Sequence, residues 1–303
     1  MRFAAIDVGT NSVLLLVAER DAQGRFHAVT ERAEITRLGK GVDQSRMLSP
    51  EGLEATVKVL AAYADEARAL GATTIVASAT SAARDARNGG ELLAQAKARA
   101  GVDIEVISGE EEARLSFASA AADFGGGGPL LAVDIGGGST EIIVGTARGE
   151  VSFRHSFDVG SVRLTERFIR SDPPSDAERA AVRAHLKSVL AQVPKATGTL
   201  VGIAGTVTTV CAIAREVEPY DAAKVHGARL TLTEVQRVCD RLWALALAER
   251  RTLPGLQPKR ADVIPCGAEI LLAVMQALGV DGTTVSDRGL RWGLLVDRCG
   301  TRA

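Results

Sequence analysis

LAVDIGGGSTEIIV, residues 131–144, runs an apolar segment into an aspartate, then three glycines, Ser139 and Thr140, then a second apolar segment. Gly136, Gly137 and Gly138 punctuate the run, so the stretch reads as two antiparallel strands joined by a tight turn. AAIDVGTNSVLLLVA, residues 4–18, has the same construction. Setting Asp7 on Asp134 also sets Gly9 on Gly136, Ser12 on Ser139 and Val17 on Val144. Each copy opens a half of the chain with the same order of elements, which marks an internal duplication.

Outward from the first copy, residues 26–36 form a third strand. Ser49 as N-cap and Pro50 at the first helical position open a helix with Leu53, Val57, Leu60 and Ala64 on one face, and Gly71 stops it. A strand at 73–78, a helix at 91–100, a strand at 102–107 and a helix at 110–124 follow. Gly125 to Gly128 and Pro129 cannot continue that helix and read as an interdomain hinge. The expected domains are therefore 1–125 and 126–303, with the last helix able to pack back onto the first. After the second copy come a strand at 151–157 and helices at 161–170 and, from Ser175 as N-cap, 176–192. A strand at 199–204 leads into a helix opened by Gly205-Thr206. Helices at 233–249 and 262–278, a strand at 283–286 and a helix at 289–298 complete the reading. The alternation is that of an α/β protein with two lobes and a cleft between them.

The chain has 303 residues, enough for two cores, and its 46% apolar and 24% charged fractions are those of a globular protein. Its four cysteines are widely spaced with no CxxC pair, which excludes a short-spaced zinc site and fits buried reduced thiols. No signal-peptide core and no membrane-length apolar run is present, so a cytoplasmic protein with no membrane partner is expected. The net charge of −1 gives no general pull toward nucleic acid, and none is expected as a partner. A polyanion would have to be held by local donors and metal. A homodimer is the default expectation for such a chain.

The turns supply such donors. Backbone N–H groups and hydroxyls of Gly9, Thr10, Asn11 and Ser12, and of Gly136, Gly137, Gly138, Ser139 and Thr140, suit phosphate oxygens, since an array of N–H groups makes an anion nest. One copy reads equally as a polar hairpin turn; two copies in the same setting point to phosphate. A carboxylate cannot bind phosphate directly, so Asp134 and Glu141, flanking the second turn, read as ligands of a divalent cation such as Mg²⁺. Asp7 is expected to orient waters. Arg84 follows a buried strand, where α/β folds place ligands, and Arg163 follows Gly160-Ser161; a guanidinium can fork onto phosphate. Gly205-Thr206 opens a helix at a strand end, which serves as an anion site or as packing. No GxxxxGK[ST] occurs, so a P-loop NTPase is excluded.

Eight strings in order resemble the exopolyphosphatase and guanosine pentaphosphate phosphohydrolase family of the sugar kinase, heat-shock chaperone and actin superfamily. Besides residues 4–18 and 131–144 they are ASATSAARDA (77–86), EVISGEEEARLSF (105–117), DVGSVRLTE (158–166), VGIAGTVTT (201–209), IPCGAEIL (264–271) and VSDRGLRWGLL (285–295). The resemblance implies a duplicated actin-like, ribonuclease H-like fold in a short two-domain form, without the longer members' extra C-terminal helical domains. It implies that Glu112, before Ala113-Arg114, is the catalytic residue; residue types alone do not choose among Glu110, Glu111 and Glu112. Arg84 is assigned by it to the substrate. His226 matches a family string, with packing as its plain reading.

The expected function is a Mg²⁺-dependent exopolyphosphatase that removes terminal phosphate from inorganic polyphosphate, short chains first. Guanosine pentaphosphate is the alternative substrate, and a non-hydrolytic sensor of polyphosphate or guanosine tetraphosphate the further alternative. A kinase of the same superfamily is disfavoured by the family strings.

Overall fold

The computed structural model describes residues 1–300. The chain divides into two units, one formed by Met1–Ser119 with the segment from Leu290 onward, the other by Ala120–Gly289. The division falls inside a helix, ahead of the glycine run that the sequence marked as a hinge. Gly126 donates to Phe124 C=O (2.9 Å) and Gly127 takes φ +85°, so the run is a turn leading into the next strand.

The first unit contains β1 (Arg2–Val8), β2 (Ser12–Arg20), β3 (Phe26–Ile35), α1 (Val42–Ser45), α2 (Pro50–Ala69), β4 (Ala72–Ala79), α3 (Ser81–Asp85), α4 (Gly89–Ala100), β5 (Ile104–Val106) and the start of α5 (Gly109–Phe124). The sheet order is β3-β2-β1-β4-β5, antiparallel through β3, β2 and β1 and parallel from β1 to β5. Strand β1 is buried on both faces, which is why it reads as a continuous apolar run. Ala4, Ile6 and Val8 pack with the α2 residues Leu53, Val57 and Leu60. Full burial of each of these large side chains is worth about 1.5–3 kcal/mol. The Ser49 hydroxyl accepts from Gly52 N–H (3.1 Å), capping α2 as its sequence requires.

The opposite face of β1, Phe3 and Ala5, packs with Leu115 of α5 and with Leu290, Trp292, Leu294 and Leu295 of the last helix, α13 (Leu290–Cys299). Ion pairs from Arg114 to Asp297 (2.8 Å) and from Arg291 to Glu31 border this contact. Gly293 allows the closest approach: a Cβ there would lie 2.1 Å from Leu115 O. Gly293→Ala gains about 1 kcal/mol of helix propensity but forces backbone apart, an overpacking cost of about 1–3 kcal/mol. A net loss is expected, read as a fall of several degrees in thermal midpoint; an unchanged or higher midpoint would contradict the packing.

The second unit contains β6 (Pro129–Ile135), β7 (Thr140–Thr146), β8 (Val151–Phe157), α6 (Ser161–Phe168), α7 (Asp176–Val189), β9 (Thr199–Ile203), α8 (Ala204–Arg215), α9 (Ala222–Val225), β10 (Arg229–Thr231), α10 (Leu232–Ala244), α11 (Leu247–Arg250), α12 (Ile264–Leu278) and β11 (Gly282–Val285). Its sheet order, β10-β11-β9-β6-β7-β8, repeats the first sheet's plan with β10 added at the edge. The sequence reading missed α1, α3, α9 and β10, which are too short to show a period. Helix 233–249 is two helices, with Leu245 and Ala246 in extended backbone between them. Leu131, Val133 and Ile135 of β6 face the main core, with helices α8, α10 and α12. All four cysteines are free and buried; burial pushes the Cys211 thiol up to about 11 and Cys266 to about 12, which leaves both inert as nucleophiles. Among the described residues no helix is long and apolar enough to cross a membrane.

Candidate active site

The two hairpins are built alike to the level of single hydrogen bonds. Gly9 N–H donates to Ser12 C=O (2.9 Å), and Gly136 N–H donates to Ser139 C=O (3.0 Å). In each, the segment after the third strand returns to bind the turn's carbonyls. In the first unit, Gly39 N–H takes Thr10 C=O (2.8 Å), and Thr36 and Arg37 N–H take Asn11 C=O (3.1 and 3.0 Å). In the second, Ser161 N–H takes Gly136 C=O (3.0 Å), and Val162 and Arg163 N–H take Gly137 C=O (2.9 and 3.1 Å). The Arg163 side chain adds a bond from Nε to Gly138 C=O (2.7 Å).

A trans peptide is planar, with its C=O and the next N–H pointing opposite ways. Holding the carbonyls of Gly136, Gly137 and Gly138 from one side therefore aims the N–H groups of Gly137, Gly138 and Ser139 to the other. The same argument aims Asn11 and Ser12 N–H in the first unit. Successive N–H groups turned one way are an anion nest. Two glycines make the approach possible. A Cβ on Gly160 would lie 2.3 Å from Gly137 O, and one on Gly39 would lie 2.2 Å from Thr10 Cγ2. Sequence reasoning missed both, because each is separated from its turn by a full strand.

Around the first turn, Asp7, Thr10 and Asn11 are all buried, and Asn11 Nδ2 has no hydrogen-bond partner in the protein. Ser78 lies beside Asp7 across the β1–β4 pair and is fully buried, its hydroxyl likewise without a partner. A buried polar atom left unsatisfied is costly, so such atoms signal a ligand or water. Ser78 was not singled out from sequence; a serine in a strand carries no local signal.

Glu112 sits in the first turn of α5, which Ser108 caps by accepting from Glu111 N–H (3.1 Å). The three glutamates differ sharply in surroundings. Glu110 is exposed. Glu111 is half-buried and bound to Arg114 (2.7 Å), whose hydrogen bond holds its carboxyl below the usual range. Glu112 is buried at 8% exposure, the one of the three withdrawn from solvent. Arg84 Nη1 donates to Ile107 C=O (2.8 Å) and lies 3.5 Å from Glu112 Oε2, so this arginine is anchored beside the carboxylate.

In the second unit, Asp134 and Glu141 are directly opposite on β6 and β7 and share a face, away from the main core. Both are buried, and Glu141 Oε1 accepts from Ser156 on β8 (2.6 Å). Like charges directly opposite across a sheet repel. A hard divalent cation removes that conflict, and Mg²⁺ takes one or two carboxylates with waters and phosphate oxygens. Among the described residues no group of three or more His, Cys, Asp and Glu could hold a metal.

Other expected residues are placed differently. Arg163 is turned onto the Gly138 carbonyl and is 6% exposed. Thr140 donates its hydroxyl to Val159 C=O (2.6 Å) and is paired in the sheet with Ile135 and Phe157. Gly205 and Thr206 open α8, but Arg260 covers Gly205, where a Cβ would meet its Nη1 at 2.4 Å. Thr206 is buried against Gly267. His226 Nδ1 accepts from Asp287 N–H (3.3 Å), and its ring packs on Phe124.

Residues 16–301 match the Ppx/GppA phosphatase family. The chain is 40% identical to exopolyphosphatase 2 of Mycobacterium tuberculosis, over 99% of each chain. The crystal structure of the Aquifex aeolicus Ppx/GppA family member is similar with a TM-score of 0.83 at 35% identity, covering 98% of this chain and 97% of that one. An exopolyphosphatase structure from Cytophaga hutchinsonii gives a TM-score of 0.89 at 27% identity, covering 98% and 97%. The fold is accordingly the duplicated actin-like, ribonuclease H-like α/β fold, and the chain belongs to the Ppx/GppA phosphatase family.

Proposed function

We propose that the chain is an exopolyphosphatase, hydrolysing the terminal phosphoanhydride of inorganic polyphosphate with release of phosphate. The duplicated turn carries this reading: in each unit the carbonyls are bonded from one side and the N–H groups are aimed to the other. The likeness to a curated exopolyphosphatase over the full length of both chains supports it. Phosphoryl transfer needs positioning and charge stabilisation more than covalent chemistry, which suits fixed backbone donors.

Glu112 would orient the attacking water and accept its proton, a role that favours a carboxylate shielded from bulk solvent. Arg84 would hold Glu112 in place and offer its remaining donors to phosphate. Asn11 Nδ2 and the Ser78 hydroxyl would add donors at the first turn. Asp134 and Glu141 would hold a divalent cation; when bound, it neutralises charge on the transferred group. The four buried thiols suit a reducing, cytoplasmic compartment.

Phosphate release should be measured from polyphosphates of graded length and from guanosine pentaphosphate, each with Mg²⁺ and with EDTA. Release from polyphosphate that EDTA abolishes is expected. Release from the nucleotide alone would reassign the substrate, and tight binding of polyphosphate without release would replace hydrolysis by sensing.

A further inference from the structure

We infer that Arg163 is a positioning residue, which acts on the reaction through the Gly138–Ser139 peptide rather than by touching phosphate; the inference rests on the polyphosphate reading above. Arg163 holds two consecutive carbonyls of the second turn, Gly137 through its backbone N–H (3.1 Å) and Gly138 through Nε (2.7 Å). The guanidinium is buried, and the exposed Asp158 carboxylate stands 3.8 Å from its Nη2. Arg84, likewise anchored to a carbonyl, keeps 27% of its side chain exposed, against 6% for Arg163. Arg163 spends its Nε on backbone.

The chemistry of the bond explains why an arginine stands there. A charge-assisted hydrogen bond is about twice as strong as a neutral one. Drawing electrons toward the Gly138 carbonyl polarises the amide and makes its other end, Ser139 N–H, a stronger donor. The same bond fixes the peptide plane, so Ser139 N–H stays aimed. Three consecutive glycines lose more conformational freedom on ordering than any other residues would. The first turn, Gly9-Thr10-Asn11, has one glycine and is held by backbone N–H groups of Thr36, Arg37 and Gly39. The second, with three glycines, is also held by a cation.

The test uses the full chain and two variants, Arg163→Gln and Arg163→Lys. Polyphosphate hydrolysis is followed over a KCl series, and amide hydrogen exchange is read for peptides spanning 136–140. Arg163→Gln is expected to lower kcat about tenfold or more, as weakening of a transition-state donor does. KM should rise less, the dependence of log KM on log[KCl] should keep the wild-type slope, and exchange at 136–140 should quicken. Arg163→Lys keeps the charge but not the fork, and should fall between the two in both readouts. A direct phosphate contact predicts instead a slope shallower by about one in the Gln variant, with unchanged exchange; that result would overturn the inference. So would wild-type kcat in Arg163→Gln. If wild-type protein releases no phosphate, the functional reading fails by itself, while the exchange arm still reports whether Arg163 holds the turn.

Discussion

Glu112→Gln is expected to cut phosphate release by about 10²-fold or more while leaving fold and substrate affinity intact. Glutamine keeps the size and hydrogen-bonding shape of the side chain but cannot accept the water's proton. The neighbouring glutamates provide an internal control. Glu111→Gln loses ion pairs with Arg114 and Arg298, contacts between partly exposed groups worth only about 0–1 kcal/mol each, and turnover should stay near wild type. The reading is decided by the contrast. Equal losses in both variants would mean a helix that had shifted, and full activity in Glu112→Gln would place the base elsewhere. Circular dichroism and thermal midpoint on the same samples separate lost chemistry from lost fold.

Glu141→Gln should move activity and stability in opposite directions. In EDTA the wild-type protein holds two buried carboxyls, Asp134 and Glu141, directly opposite, a pair that is costly to keep ionised. Neutralising one relieves that cost, and a gain of about 1 kcal/mol corresponds to a rise of about 2–4 °C in midpoint. Activity should fall by about 10²-fold or more as cation binding is lost. Wild-type protein should gain stability when Mg²⁺ is added, because a ligand that binds the native state alone stabilises it. The variant should gain little. A variant with the wild-type response to Mg²⁺ would show that the cation is held by other groups.

The second hairpin also explains why the two turns are not equivalent. Asp134 faces Glu141, whereas Asp7 faces Leu14, at the corresponding position of the first copy. The duplication thus preserved the turn and its closing bond while only one copy kept a second acid. Both the repeat and this difference are visible in the sequence, since each lies within a span of about fifteen residues.

What was legible along the chain was what neighbours in sequence dictate. Asp-x-Gly turns between apolar runs specify hairpins, Ser49-Pro50 specifies a helix start, and the repeated order of elements specifies two similar sheets. These signals are local, so linear spacing preserves them. Contacts between distant residues decided the rest. EEEAR contains three acids of one kind, and only packing withdrew Glu112 and placed it beside Arg84. Arg84 and Arg163 look alike as arginines near loops, yet each was committed to a carbonyl, of Ile107 and Gly138, by the path of the chain between them. Ser78, Gly39 and Gly160 acquire meaning only when a neighbouring strand or loop arrives against them. The sequence reading allowed the last helix to pack on the first unit, but the fit that seats it, Gly293 against Leu115, is a match of surfaces that no pattern within either helix encodes.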